Sequence, residues 1–158
     1  MLFRSIVILA LIMVIAIPNV LSSINDSRVS ALHSKAKSLV SWYSETLLSQ
    51  QLNNKEDIIT SADRTKVASN TWQCLGTLST NLRTAAEING NDFIITLPSG
   101  GSVPNDSGVP GSIKTCSAIR TKNGKVEIVL VANTTGRFHV GGANVTYAYS
   151  SADKGATK

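Results

Sequence analysis

The chain has 158 residues, 42% of them hydrophobic and 16% charged, with 15 Lys and Arg against 10 Asp and Glu. That length suits one domain, and the charged fraction is well below the roughly 25% usual for soluble domains. So apolar a composition excludes low-complexity disorder, and its uneven distribution along the chain argues against a plain cytosolic enzyme.

No charged residue occurs from Ser5 to Asn25, and Ile6 to Ile17 is an unbroken apolar run, IVILALIMVIAI. Three readings fit the first 23 residues. Arg4, the apolar run and Val20-Leu21-Ser22 satisfy the demands of a cleaved signal peptide. Leu2 to Leu21 also reaches the length of about 20 residues that a membrane helix needs, with Arg4 able to snorkel toward headgroups. The third reading is a helix held first in a membrane and then buried in a filament core.

Beyond Pro18 no glycine or proline occurs from Asn19 to Asn54. Ile24, Ala31, Leu32, Ala36, Leu39, Val40, Tyr43 and Leu47 recur in threes and fours, which predicts an amphipathic helix over 24–52. If the N-terminal segment is retained, one helix runs from about residue 2 to about residue 52, near 75 Å long. Such a rod outreaches a domain of this size, and bundling with identical copies is one remedy for its apolar half.

Together, IVILALIMVIAIPNV and SSINDSRVSALHSKAKSLVSWYSETLL resemble the N-terminal half of a type IV pilin or type II secretion pseudopilin. The shared pattern is an apolar run, an Ala-Ile-Pro step and an Arg-containing amphipathic helix, covering about residues 1–52. It departs from that family at MLFRS, which has no acid where pilins carry a glutamate. The resemblance implies a filament core built from Ile6, Val7, Ile8, Leu9, Leu11, Ile12, Val14, Ile15, Ile17 and Pro18. It also implies an N-methylated Met1 if that residue is the mature terminus.

Residues 53–70 are polar and read as a connection with one helical turn from Ser61. Leu75, Leu78, Leu82, Ala85 and Ala86 predict a short second helix over 74–88. NDFIITLP at 91–98 reads as a strand stopped by Pro98. Residues 98–112 hold three of the four prolines and read as a loop.

Residues 113–158 carry seven basic and two acidic residues and form the clearest β region. SIKTCSAIRT and KVEIVLVA flank Lys122-Asn123-Gly124, a strong hairpin signal. RFHV and ANVTYAY flank Gly141-Gly142 and predict a second hairpin. Weak alternation in Val126–Val131 suggests a strand covered on both sides. The fold class expected is α+β, the long helix lying on about four antiparallel strands, as the pilin resemblance also implies. The domain layout is a segment at 1–23 and a globular unit at 24–158, divided as 24–52, 53–112 and 113–158.

Cys74 and Cys116 are the only cysteines, and an exported location favours a disulfide between them. Two free buried thiols are the alternative. The bridge would staple the second helix to the first strand of the C-terminal sheet, and pilins often carry one such bond around a variable surface region.

No nucleophile motif, phosphate loop or zinc-ligand spacing occurs, so neither catalysis nor a cofactor is expected. Gly136-Arg137-Phe138-His139 resembles the Gly-Arg-x-Arg stretch of DNA-uptake minor pilins, with His139 in the second arginine's place. With Lys122 and Lys125 on a hairpin tip expected nearby, these residues define a candidate DNA or anion contact. The expectation is a structural pilin-like subunit forming a homo-oligomeric filament through the pilus assembly machinery. It passes from a bacterial inner membrane to an extracellular pilus. The rivals are a minor pilin or pseudopilin binding DNA or secretion cargo, and a secreted domain with a cleaved signal.

Overall fold

The computed structural model describes the backbone of residues 2–104, 114–140, 146–151 and 155–157, with side chains described from Ile24 to Ser151 within those ranges. Helix α1, Leu2–Asn53, runs through Pro18 and spans 52 residues, about 78 Å at 1.5 Å per residue. It stops at Asn54, whose φ of 52° is left-handed, and the Lys55 N–H returns to the Gln50 carbonyl at 3.0 Å. Asparagine tolerates that conformation and so serves as a helix terminator.

The predicted turn at Ser61 is helix α2, Ser61–Val67. Thr60 caps it by a reciprocal arrangement. Its hydroxyl accepts from the Asp63 N–H at 3.1 Å, while Asp63 Oδ2 accepts from the Thr60 N–H at 3.2 Å. Asp63 also accepts from the Ser79 N–H at 2.9 Å and the Ser79 hydroxyl at 2.6 Å. One buried carboxylate thereby closes the start of α2 and ties it to the residue that caps the next helix.

The helix expected over 74–88 is broken into three pieces. Gln73–Cys74 is strand β1, Leu75–Thr77 is a single 3-10 turn, and only Thr80–Ala85 is α-helical, as α3. One distant pairing and one local cap account for this: Cys74 pairs with Ala118 in the sheet, and Ser79 starts α3 afresh by accepting from the Leu82 N–H. The apolar periodicity nevertheless reports burial correctly, since Leu75, Leu78, Leu82 and Ala86 are all in the core.

The strand expected at 91–98 is reduced to one bridge, Phe93 to Ala132. The segment instead divides its bonds among several neighbours. The Ile94 N–H donates to Val131 O, the Ser117 N–H to Ile94 O, and the Gly76 N–H to Ile95 O. It therefore laces the ends of the following strands together rather than joining the ladder.

Strands β2 (Ala118–Lys122), β3 (Lys125–Val131), β4 (Tyr147–Ser151) and β5 (Gly155–Thr157) complete an antiparallel meander in the order β1-β2-β3-β4-β5. Lys122 faces Lys125 across Asn123 and Gly124, with φ of 53° and 77°, the two positive φ values of a tight primed turn. RFHV is not a strand: 134–138 is a succession of turns and β4 begins only at Tyr147. Most of the second predicted hairpin turn, 141–145, lies outside the described residues, as do 105–113 of the predicted loop. β5 falls in what reads as a polar tail.

Helix α1 rests on β3 and β4. Leu32, Ala36, Leu39, Val40 and Tyr43 meet Ile119, Val126, Ile128, Leu130 and Ala148 in the main core. The other sheet face carries a second cluster of Trp72, Cys74, Cys116, Ala118, Val129 and Val131. This double cover explains why β3 alternates so weakly. The fold is the α+β arrangement expected, a long N-terminal helix on an antiparallel sheet.

The cysteines form a disulfide, with Cα atoms 5.6 Å apart and a sequence separation of 42. It joins β1, not the second helix, to the residues that lead into β2. Both sulfur-bearing residues are buried.

Candidate assembly surface and the Arg137 loop

Met1, expected from the resemblance as an N-methylated terminus, lies outside the described residues. For Ile6 to Pro18 the backbone is helical, and their side chains fall outside the description. Among the described residues no helix is long and apolar enough to cross a membrane. The core-forming stripe of α1 begins at Leu32, fifteen residues after Ile17, or about 22 Å of helix.

Arg137 is placed by its glycine neighbour. A Cβ on Gly136 would stand 2.8 Å from Asn91 O and from Asp92 Cα, so only glycine lets this loop press against the 91–92 backbone. The Arg137 guanidinium then meets Asp92, with Nη2 at 2.9 Å and Nε at 3.2 Å. The Arg137 hydrogen bond outweighs the effect of burial and holds the Asp92 carboxyl below its ordinary value, aided by Asn89. The same pair raises the Arg137 pKa further. Arg137 also lies 5.4 Å from the Phe138 ring centroid, and Phe138 stacks on buried Phe93 at 5.2 Å.

His139 contributes its backbone as much as its ring. Its carbonyl accepts from Arg28 of α1 at 2.8 Å, and its Nδ1 stands 3.5 Å from the Thr146 hydroxyl. The loop after β3 is thereby clipped both to α1 and to residues 89–92. Nearby on α1, burial lowers the Lys35 pKa against the opposing pull of Glu87. Its ammonium donates to Ala86 O at 2.8 Å and lies 3.8 Å from Glu87.

Lys122 and Lys125 do not join Arg137 and His139. They flank the turn at the start of β3, whereas Arg137 follows its end. Seven extended residues separate the two groups, about 20 Å at strand spacing. The hairpin tip that the sequence places beside Arg137 is the one at the opposite end of the sheet. Arg137 keeps a side chain 76% exposed, but its hydrogen-bonding edge faces Asp92. Among the described residues, no cluster of His, Cys, Asp and Glu could hold a metal ion.

A different polar row emerges on the sheet face away from α1. The Arg120 guanidinium lies 4.4 Å from the Trp72 ring centroid, and its Nε donates to Glu127 Oε2 at 2.6 Å. The Tyr149 hydroxyl donates to Glu127 Oε1 at 2.9 Å. Burial first, then Glu127, raises the Tyr149 pKa. The Asn-Gly turn foretells part of this row: fixing Lys122 opposite Lys125 puts Arg120 opposite Glu127. The Asp92 contact has no such local signal, because 45 residues separate it from Arg137.

No known protein family, curated protein or solved structure matches the chain. The architecture itself is pilin-like: a long N-terminal helix packed on an antiparallel sheet, with one disulfide. The disulfide suggests an extracytoplasmic location.

Proposed function

We propose that the chain is a structural subunit of a type IV pilus-like extracellular filament, polymerising through its hydrophobic N-terminal helix. The observation that carries this reading is the mismatch between the helix and the domain. α1 extends over 52 residues, and its apolar run precedes by about four turns the stripe that covers the sheet. Twelve consecutive apolar residues exposed to water are untenable at roughly 25 cal/mol per Å². A membrane holds such a run before assembly, and neighbouring copies hold it afterwards. The disulfide-linked domain then forms the outer sheath of a homo-oligomer delivered by the pilus assembly machinery.

The engagement of Arg137 with Asp92 and the distance to Lys122 and Lys125 support a structural role for that loop over a DNA contact. The test is Ile12→Arg in the full chain. The expected result is loss of surface filaments while the domain keeps its disulfide and its thermal transition, because a charge in an apolar helix bundle is strongly disfavoured. Filaments of normal abundance and length from this variant would overturn the proposal.

A further inference from the structure

Two of the chain's asparagines precede a glycine, Asn89-Gly90 and Asn123-Gly124. A glycine has no Cβ to shield its backbone nitrogen and turns easily, so that nitrogen can reach the carboxamide of the asparagine before it. Both asparagines are exposed, and exposure does not distinguish them. Their surroundings do.

Asn89 is held at both polar atoms of its side chain. Oδ1 accepts from the Asn91 N–H at 3.0 Å and the Asp92 N–H at 2.8 Å, while Nδ2 donates to Asp92 Oδ2 at 3.0 Å. Its backbone carbonyl accepts from the N–H of buried Phe93 at 3.1 Å. Asp92 is fixed in turn by Arg137, so reaction at Asn89 requires this whole clip to open. Asn123 stands at the hairpin tip with a φ of 53°, and among the described residues its carboxamide has no hydrogen-bond partner. A Cβ on Gly124 would meet nothing within 4 Å. Lys122 and Lys125 are the last pair of the register, and the first buried residue behind them is Val126. The tip therefore opens without disturbing the core.

We infer that Asn123 is a site of spontaneous deamidation, its carboxamide converting to aspartate and isoaspartate while Asn89 is preserved. The Gly124 nitrogen attacks Asn123 Cγ, and the new C–N bond closes a cyclic imide. The Cγ–Nδ2 bond breaks, and the proton from the attacking nitrogen leaves with Nδ2 as ammonia. Water then adds to either imide carbonyl and reopens the ring. The two products differ. Aspartate before glycine suits the same primed turn and sets one carboxylate between Lys122 and Lys125. Isoaspartate routes the main chain through Cβ, and the added methylene displaces Lys122 from Lys125. The tip thus loses positive charge and, in the isoaspartate fraction, its register. This chemistry is independent of the filament reading.

The test is to age the folded full chain at mildly alkaline pH in water enriched in heavy oxygen, digest it with pepsin in acid and map both sites by mass spectrometry. Exchange of ammonia for labelled water is expected at Asn123 about tenfold or more faster than at Asn89, whose hydrogen bonds must break first. In denaturant, with the disulfide reduced, both positions react at similar rates. Asn89 reacting as fast as Asn123 in the folded chain overturns the proposal. So does an Asn123 that stays intact while the denatured chain reacts at both positions. A second arm compares Asn123→Asp with the aged chain. Hydrogen exchange at Val126 matches the parent in the variant and quickens only in the isoaspartate fraction; unchanged exchange in that fraction overturns the loss of register.

Discussion

Toward α1 the sheet presents Ile119, Val126, Ile128, Leu130 and Ala148; away from it, the sheet presents Trp72, the Cys74–Cys116 bridge, Val129, Val131 and the Arg120–Glu127 pair. Both faces are buried, yet they are held differently. The inner face is matched by apolar contact, which is non-directional and scales with area. The outer face adds a covalent bond and a row of directional bonds from Trp72 through Arg120 and Glu127 to Tyr149. A slip of one residue would send every side chain to the opposite face. Area alone resists that slip on the inner side, while on the outer side the ion pair and the disulfide also specify the partner residue.

The largest effect expected from breaking this contrast is on the outer side. Cys74→Ser with Cys116→Ser opens a loop of 42 residues and lowers the unfolding free energy by about 4 kcal/mol in the chain-entropy account, measurable by denaturant titration. On the inner side Leu130→Ala, at a fully buried position, costs about 3 kcal/mol and leaves amide protection at the Asn123-Gly124 hairpin intact. Glu127→Gln comes next, at about 2 kcal/mol, because Arg120 is left buried without its anion. Hydrogen exchange should then quicken in β2 and β4 more than in α1. Equal loss in all three elements would show that the row does not govern register.

Two titrations sharpen the same picture from the inner core. Burial pushes Asp63 up, but hydrogen bonds from Ser79 and Thr60 outweigh it, leaving its carboxyl below the ordinary value of 3.8. A depressed folded pKa contributes stability that is present above 3.8 and lost as pH falls through the lower folded value. Asp63→Asn should therefore flatten the acid limb of the melting profile and cost about 1 kcal/mol near neutrality through the weakened cap. Burial, helped by Asp63, raises Tyr43 to about 12. Here the folded pKa lies above the unfolded one, so the contribution is complete below pH 10 and disappears as pH rises toward 12. Absorbance titration of Tyr43→Phe against the parent should remove this late-ionising phenol.

What could be read from the sequence follows the range of the interactions involved. The long helix, the Asn123-Gly124 turn and the buried faces of 32–43 and 126–131 depend on periodicity and local backbone preference, and they stand in the structure. The α2 start was legible to within one residue, since Thr60 and Asp63 form a local capping pair. The helix over 74–88 was not, because Cys74 is held by Ala118 and Cys116, both more than 40 residues away. Similarly, 91–98 has the composition of a strand, but the β2 and β3 ends draw its bonds elsewhere. β5 is short and polar, and only its pairing with β4 makes it a strand. At the Arg137 loop the glycine and arginine were visible in sequence, while the carboxylate that fixes them was not.

The central claim is that the apolar first half of α1 is retained and buried among identical copies. Electron microscopy of cell-surface material, with intact mass spectrometry of the subunit isolated from it, tests this most directly. The account predicts filaments whose subunit still contains Ile6–Ile17. A dispersed monomer from which that run has been removed would contradict it.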